Sequence, residues 1–382
     1  MTTVLVVHPG AELYGADRMV LESVDAFVRR GWRVVVALPT TGPLVGELEA
    51  RGATVQLVAT PVLRKAYLGA RGLVTLAGIS LKALIPSFRL LRSVRPDAIY
   101  VSTLTLPLWI VLAAALRVPI VGHVHEAEST ASMLARKALA APLLLARRIV
   151  VNSRFSTSVL TGAWPRLDAR CEVVYNGVAG PPQATEPRTK LDPPVRLLYV
   201  GRISERKGVP DAVDALAALD QRGIVAQLDI VGDVFPGYEW VVDDIHQRAA
   251  TAGTTERVHL HGFDADIWPH LAHSDILLVP SRLDEPFGNV AIEGALAARP
   301  LIVSGSSGLL EAVDGLNAAC AVPAGAPEAL AEAVARIVAA WPEFRAHAIA
   351  DASRTAERFS LERYQDGIAT AVAAAIPTLE IR

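Results

Sequence analysis

Short apolar runs rich in β-branched residues recur along this chain, each followed by a stretch of helical periodicity. That alternation narrows the fold more than any other feature. Val4–Val7, Val34–Leu38, Val55–Val58, Ala98–Val101, Ile120–His123 and Ile149–Asn152 read as strands in the first half. Continuous apolar runs of this length suit parallel strands buried on both faces. After the first, Asp17–Arg30 sets Val20, Leu21, Val24 and Phe27 on one stripe, as in a helix packed on a sheet, and Gly31 ends it. A second series runs through Arg196–Val200, helix Asp211–Leu219, Gln227–Val231, Val258–His261, Ile276–Val279, helix Ala291–Ala298 and Leu301–Ser304. Strands alternating with helices imply parallel sheets with right-handed crossovers. The expectation is an α/β protein of two doubly wound, Rossmann-like domains facing each other across a cleft. The first spans residues 1–180. A polar linker at 181–194 holds five prolines. The second domain spans 195–350, and a helical segment at 351–382 packs back toward the first.

A length of 382 residues fits two domains, and 52% hydrophobic residues supply two cores. With 20% charged residues and a net charge of −2, the chain is neither disordered nor a simple polyanion binder, so no nucleic-acid partner is expected. The charge is uneven, however. Met1–Ala179 holds 20 Lys and Arg against 11 Asp and Glu, and the remainder holds 17 against 28. No acidic residue falls between Arg51 and Pro96, where Arg51, Arg64, Lys65, Arg71, Lys82, Arg89, Arg92 and Arg95 are basic. Cys171 and Cys320 lie in different expected domains, which implies no disulfide framework and a reducing compartment. The first residues show neither the basic stretch nor the long apolar run of a secretion signal, and no uninterrupted apolar run reaches the length of a membrane span. A cytoplasmic protein is expected. An excess of Arg over Lys, 32 to 5, suggests a bacterial source of high GC content.

In open parallel sheets, ligands bind beyond the carboxyl ends of the strands. One such loop reads Gly201-Arg202-Ile-Ser-Glu-Arg-Lys207-Gly208. A guanidinium grips two phosphate oxygens and an ammonium adds a point charge, so Arg202 and Lys207 suit a diphosphate; a solvated charge cluster would look the same. A later loop reads Glu285-Pro-Phe287-Gly288-Asn289-Val290-Ala291-Ile-Glu293. Residues 288–291 fall at a helix start, where amides and the dipole attract anions, and Glu293 sits about a turn further in.

Together with Gly232-Asp233, Pro280-Ser281, Tyr14-Gly15-Ala16-Asp17, Asn152-Ser153, Asn176-Gly177-Val178 and Ser307-Gly308-Leu-Leu-Glu311, these strings resemble the retaining GT-B glycosyltransferases of family 4 over nearly the whole chain. The resemblance implies a nucleotide-diphosphate sugar as donor, GDP-mannose or a UDP-hexose first. It implies that Arg202 and Lys207 hold the diphosphate, Glu293 the ribose, and Glu285 with the backbone of Phe287, Gly288 and Asn289 the hexose. The Val290 and Ala291 amides would face phosphate, Gly15 would approach it from the first domain, and the base would lie near Gly262 and Phe263. His125 fits the family histidine that points at the hexose, with His123 as the strand's last buried residue. Ser307-Gly308 stands where the family has two glycines, Ala298 where it has a helix-end glycine, and Tyr14 where a second glycine is common.

Bond cleavage at the anomeric carbon leaves negative charge on the diphosphate, where Arg202, Lys207 and helix amides stabilise it. The family implies same-face attack with the leaving phosphate helping to take the acceptor proton. No Asp-x-Asp loop and no His/Cys cluster stands at ligand spacing, so neither metal nor other cofactor is expected. The acceptor is a hydroxyl of a glycan, glycolipid or small molecule. The acid-free stretch 51–96, with Tyr67, Leu68, Leu73, Val74, Leu76, Ile79, Leu84, Ile85 and Phe88 among its cations, suits either peripheral contact with an anionic membrane or an ordinary helix packed on the first sheet. A sugar-nucleotide epimerase of the same fold and a catalytically silent carbohydrate-binding protein are the competing readings.

Overall fold

The computed structural model describes residues 1–13, 15–63, 70–235 and 237–377. Tyr14, Arg64, Lys65, Tyr67 and Leu68, and the side chains of Arg71 and Leu73, lie outside the described residues. The chain divides into two compact units: Met1–Gly177 with Leu361–Arg382, and Val178–Ser360.

The first unit runs β1 (Thr3–Val7), α1 (Gly15–Arg29), β2 (Arg33–Leu38), α2 (Pro43–Ala50), β3 (Thr54–Leu57), α3 (Ala70–Val94), β4 (Ala98–Val101), α4 (Pro107–Ala115), β5 (Ile120–Val124), α5 (Met133–Ala140), β6 (Arg148–Val151), α6 (Arg154–Ala163) and β7 (Cys171–Val173). Its seven strands lie in the order β3-β2-β1-β4-β5-β6-β7, all pairs parallel. Val4 and Val6 join a core with α1 and α2, while Leu5 and Val7 join one with α3 and α4. Residues that alternate along β1 thus fill both faces, which is why Val4–Val7 carries no polar residue.

The second unit runs β8 (Val195–Val200), α7 (Val209–Asp220), β9 (Ala226–Val231), α8 (Trp240–Thr251), β10 (Val258–Gly262), α9 (Trp268–His273), β11 (Ile276–Val279), α10 (Asn289–Leu296), β12 (Leu301–Ser304), α11 (Ser307–Ala312), β13 (Ala319–Val322), α12 (Pro327–Ala339) and α13 (Trp341–Arg358). Its sheet order is β10-β9-β8-β11-β12-β13. In both sheets the order reverses beside the first strand, between β1 and β4 and between β8 and β11. Loops diverge there and open a crevice for a ligand.

Two boundaries differ from the sequence expectation. Residues 351–360 do not travel with the last helix. Asp351 on α13 accepts the Ala318 amide at 2.8 Å, within the second unit. The crossing falls after Ser360, and α14 (Leu361–Ala375) packs on the first sheet, with Tyr364, Ile368 and Val372 in the α1 core. The Tyr364 hydroxyl donates to the Met19 carbonyl at 3.0 Å. The proline-rich segment 181–194 is pinned to the second unit. Arg188 donates to Asp275 (2.8 Å), Trp341 to the Arg188 carbonyl (2.9 Å) and Arg345 to the Pro187 carbonyl (3.0 Å).

Although α3 lacks an uninterrupted apolar run, its Val74–Val94 portion is long and apolar enough to cross a membrane by length and composition, with 22% of its most apolar stretch buried.

Candidate active site

Three neighbouring strands of the second sheet end in glycine. Gly201 follows β8, Gly232 follows β9 and Gly262 closes β10, with φ of 144°, 146° and 74°. The loops are bonded to one another: Gly201 N–H to the Val231 carbonyl (2.9 Å), Gly232 N–H to the Gly262 carbonyl (2.8 Å) and Ile203 N–H to the Asp233 carbonyl (3.0 Å). A Cβ on Gly232 would stand 1.8 Å from the Gly201 oxygen, so only glycine lets the loops lie back to back.

Arg202 leaves the first of these loops, and its guanidinium lies 3.5 Å from the centre of the Phe235 ring. Aromatic support of this kind holds a planar cation in place without neutralising it. The Tyr199 hydroxyl donates to the Arg202 carbonyl at 2.7 Å. Burial first, and the Glu285 carboxylate second, push the Tyr199 phenol well above its ordinary value, so it remains a donor. Sequence reading missed Phe235; an aromatic two residues after Gly232-Asp233 was the available signal. Phe263, expected near the base, is largely exposed.

Lys207, from the same loop as Arg202, reaches Glu285 on the loop after β11, with Nζ 2.8 and 2.9 Å from its two carboxylate oxygens. Glu285 is 7% exposed. Ser281 Oγ donates to its carboxylate (2.9 Å), its amide donates to Ser307 Oγ (2.9 Å), and its carbonyl accepts from Gly308 N–H (3.0 Å). The two loops interlock elsewhere. Arg282 grips the buried Asp211 of α7 with both arms (2.8 and 2.6 Å), and Arg206 donates to the Asp284 carbonyl (3.0 Å). Gly208, φ 72°, packs so tightly that a Cβ would fall 1.9 Å from the Pro280 oxygen. Loops so fixed bring acid and base to the β8–β11 switch point already ordered, which lowers the cost of organising them around a ligand.

Gly288 (φ 126°) leads into α10, and Asn289 and Val290 open the helix. The Phe287 ring is buried edge-on against Phe359, centroids 5.7 Å apart, so this residue can offer only backbone to a ligand. Glu293 stands half-buried just past the first turn. Ala291 departs from expectation: its amide donates to the Gly288 carbonyl at 3.0 Å rather than outward, because the first turn of α10 closes on it. Two positions where the family has glycine also show their cost. Ala298 and Ser307 both hold left-handed backbone, φ 55° and 57°.

Gly15 and His125 belong to the first unit. Gly15 is the exposed first residue of α1. Two residues on, Asp17 accepts from His8 Nε2 at 2.6 Å, and His8 Nδ1 lies 2.6 Å from Ser102 Oγ. These residues follow β1 and β4, at that sheet's own switch point. His125 comes one residue after β5. Its Nε2 is shielded from solvent with no hydrogen-bond partner among the described residues. Burial first, and the neighbouring His8 second, lower its pKa to about 3, so it is a neutral imidazole near pH 7. His123 is buried in the core, bonded to the Tyr100 hydroxyl, and burial first, with the neighbouring His125 second, holds its pKa well below the ordinary range. Among the described residues no group of three or more His, Cys, Asp or Glu stands together to hold a metal.

The chain matches known proteins over both units. Residues 14–179 match the model of "Glycosyltransferase Family 4" and 194–340 that of "Glycosyl transferases group 1". It is 31% identical over 256 residues to a glycogen synthase of Mycobacterium tuberculosis, covering 62% of this chain and 58% of that protein. It is 33% identical over 172 residues to a GDP-mannose-dependent alpha-(1-6)-phosphatidylinositol dimannoside mannosyltransferase of the same species, covering 44% of this chain and 41% of that one. The match thus spans little more than half the length of the first relative. In fold it is similar to Anabaena HepE, solved with UDP and glucose, at a TM-score of 0.79 and 20% identity over 98% of this chain and 100% of that one. With the double sheet and the strand-end loops described above, these matches show that the chain belongs to the GT-B glycosyltransferases of family 4.

Proposed function

We propose that this protein transfers a hexose from a nucleotide-diphosphate sugar to an acceptor hydroxyl, with retention at the anomeric carbon. The observation that carries the reading is the Lys207–Glu285 pair, locked at the β8–β11 switch point, with Arg202 on the same loop as Lys207. As the anomeric bond breaks, negative charge collects on the diphosphate, and fixed cations aimed at developing charge are the most effective electrostatic catalysts. Arg202 and Lys207 take that role, so the reading calls on no metal or other cofactor. Glu285 then exchanges its lysine for hexose hydroxyls, and Glu293 accepts from the ribose. Gly15, Gly262, Phe263, the backbone of residues 287–290 and His125 enter on the family resemblance. The neutral state of His125 suits a hydrogen bond to a sugar hydroxyl.

A GDP-mannose-dependent relative and a UDP-bound structural neighbour support GDP-mannose or a UDP-hexose as donor. The acceptor is a hydroxyl on a glycan or lipid-linked glycan, met in the cytoplasm at the inner face of the membrane. The mannosyltransferase relative, whose name gives a phosphatidylinositol acceptor, supports the lipid-linked form.

Thermal stabilisation by UDP, GDP, ADP and dTDP tests the donor site. A ligand at 100 times its Kd adds about 2.7 kcal/mol. One of the four raises the Tm by several degrees, and Glu293→Ala removes the rise. If none does so, the silent carbohydrate-binding reading replaces this one.

A further inference from the structure

α3 has two apolar faces. Ala83, Ser87 and Leu91 form a buried stripe, with Leu91 in the core beneath the first sheet. Elsewhere on the helix Val74, Leu81, Ile85 and Phe88 stand in solvent, 74%, 71%, 58% and 40% exposed. Spacings of seven, four and three bring these four onto a single stripe, about 130° around the axis from the buried one. A surface helix ordinarily turns polar residues outward. Here the outward stripe is apolar, and Lys82 and Arg89, seven apart, line one edge of it. Arg92 falls near its end, with its guanidinium 5.9 Å from the centre of the Phe88 ring. Leu84, Ile85, Phe88 and Arg89 also meet Leu112 of α4 in an apolar groove of about 430 Å³.

We propose that this face of α3 is a docking surface for an anionic lipid bilayer, with the helix lying in the plane of the interface. Val74, Leu81, Ile85 and Phe88 enter the acyl boundary, while Lys82, Arg89 and Arg92 stay at headgroup level. Each cation near an anionic leaflet is worth about a five-fold gain in binding, and residues 51–96 hold no acid to oppose them. The helix cannot stand across the membrane. It is the crossover between β3 and β4 of one sheet, its Ala83–Leu91 stripe is buried, and its flanks are bonded to the loop after β4 and to β1. Leu63 N–H donates to the Thr105 carbonyl and Asp97 N–H to the Thr3 carbonyl, both at 2.8 Å. A second copy of the chain is a poor occupant, because a two-fold contact sets the same basic stripe against itself. The inference deepens the lipid-linked acceptor reading and rests on it only for its purpose.

Co-sedimentation of the full chain with phosphatidylcholine vesicles, with and without phosphatidylglycerol, tests the proposal. Phosphatidylglycerol raises binding at least about ten-fold at low salt, and added salt lowers it. Leu81→Asp with Ile85→Asp removes the binding, and Lys82→Gln with Arg89→Gln weakens it about 25-fold at low salt. Both pairs lie on the solvent face and keep the Tm and the nucleotide response of the parent protein. A parent protein that stays in the supernatant with anionic vesicles overturns the proposal. So does an aspartate pair that binds like the parent, or a concentration-dependent dimer that the pair disperses without any vesicle binding. Loss of the nucleotide response in the parent protein would instead remove the donor reading and leave the vesicle result standing.

Discussion

Lys207 Nζ lies 2.8 Å from the carboxylate of Glu285, across two loops that the backbone ties together without them. The geometry of the pair therefore does not depend on its attraction. Lys207→Met leaves Glu285 mostly buried, with Ser281 as its remaining side-chain donor among the described residues. Leaving a buried charge underbonded costs about 1–3 kcal/mol, so the Tm should fall by several degrees. On the proposed reading, in which Lys207 acts on the developing diphosphate charge, transfer should fall more, by about 10²–10³-fold in kcat. Steady-state kinetics beside a melting curve separate the two effects. A variant that loses stability and keeps kcat would make the pair structural.

Phe235 should act through Arg202. Removing the ring from beneath a partly exposed guanidinium costs about 0.5–1 kcal/mol, or roughly two- to five-fold. Phe235→Ala is expected to raise the donor KM by that factor with little change in kcat, and Phe235→Tyr to restore it. Arg202→Ala should cost far more in kcat/KM.

Gly232→Ala and Gly208→Ala should abolish folding of the second unit or cost it several kcal/mol. Each new Cβ meets a carbonyl oxygen at under 2 Å, and each backbone has positive φ. Gly46, in α2, meets nothing within 4 Å, and Gly46→Ala should stabilise by about 0.5–1 kcal/mol. Denaturant midpoints of the three variants check this.

Ala298→Gly should raise stability. A left-handed alanine costs about 1–2 kcal/mol, partly offset by the greater freedom of glycine in the unfolded chain, for a net gain of about 0.5–1 kcal/mol. Ser307→Gly should gain less, since it also loses the bond from the Glu285 amide. The difference between the two melting temperatures is the readout.

His125 is held neutral in the folded state, with its pKa lowered to about 3, whereas an unfolded chain protonates it near 6.5. Below that unfolded value the unfolded state binds the extra proton, so stability falls as pH drops from about 6.5 toward 3. His123 acts in the same direction. The Tm should therefore decline from pH 7 to 5, and His125→Gln should flatten the decline. An unchanged slope in that variant would show that other groups set it.

Much of the fold was legible because buried parallel strands need unbroken apolar runs. β4, β11 and β12 fall on the residues read from sequence, and most other strands fall within one residue. β7 (Cys171–Val173) and β13 (Ala319–Val322) were missed. They are short edge strands of mixed or small residues, made strands by pairing with β6 and β12. The loops that carry Arg202, Lys207 and Glu285 were legible because ligand-facing loops follow the carboxyl ends of parallel strands, and those ends could be read from the apolar runs.

By itself, the order of residues determined which strands are buried and which loops follow them, since both depend on the local apolar pattern. Only the tertiary structure decided that Lys207 meets Glu285, that Phe235 carries Arg202, that the chain crosses back to the first unit after Ser360 rather than at 351, and that Val74, Leu81, Ile85 and Phe88 face outward. Each of those depends on which distant surfaces are buried against one another, and an apolar residue looks the same in sequence whether it is covered or bare.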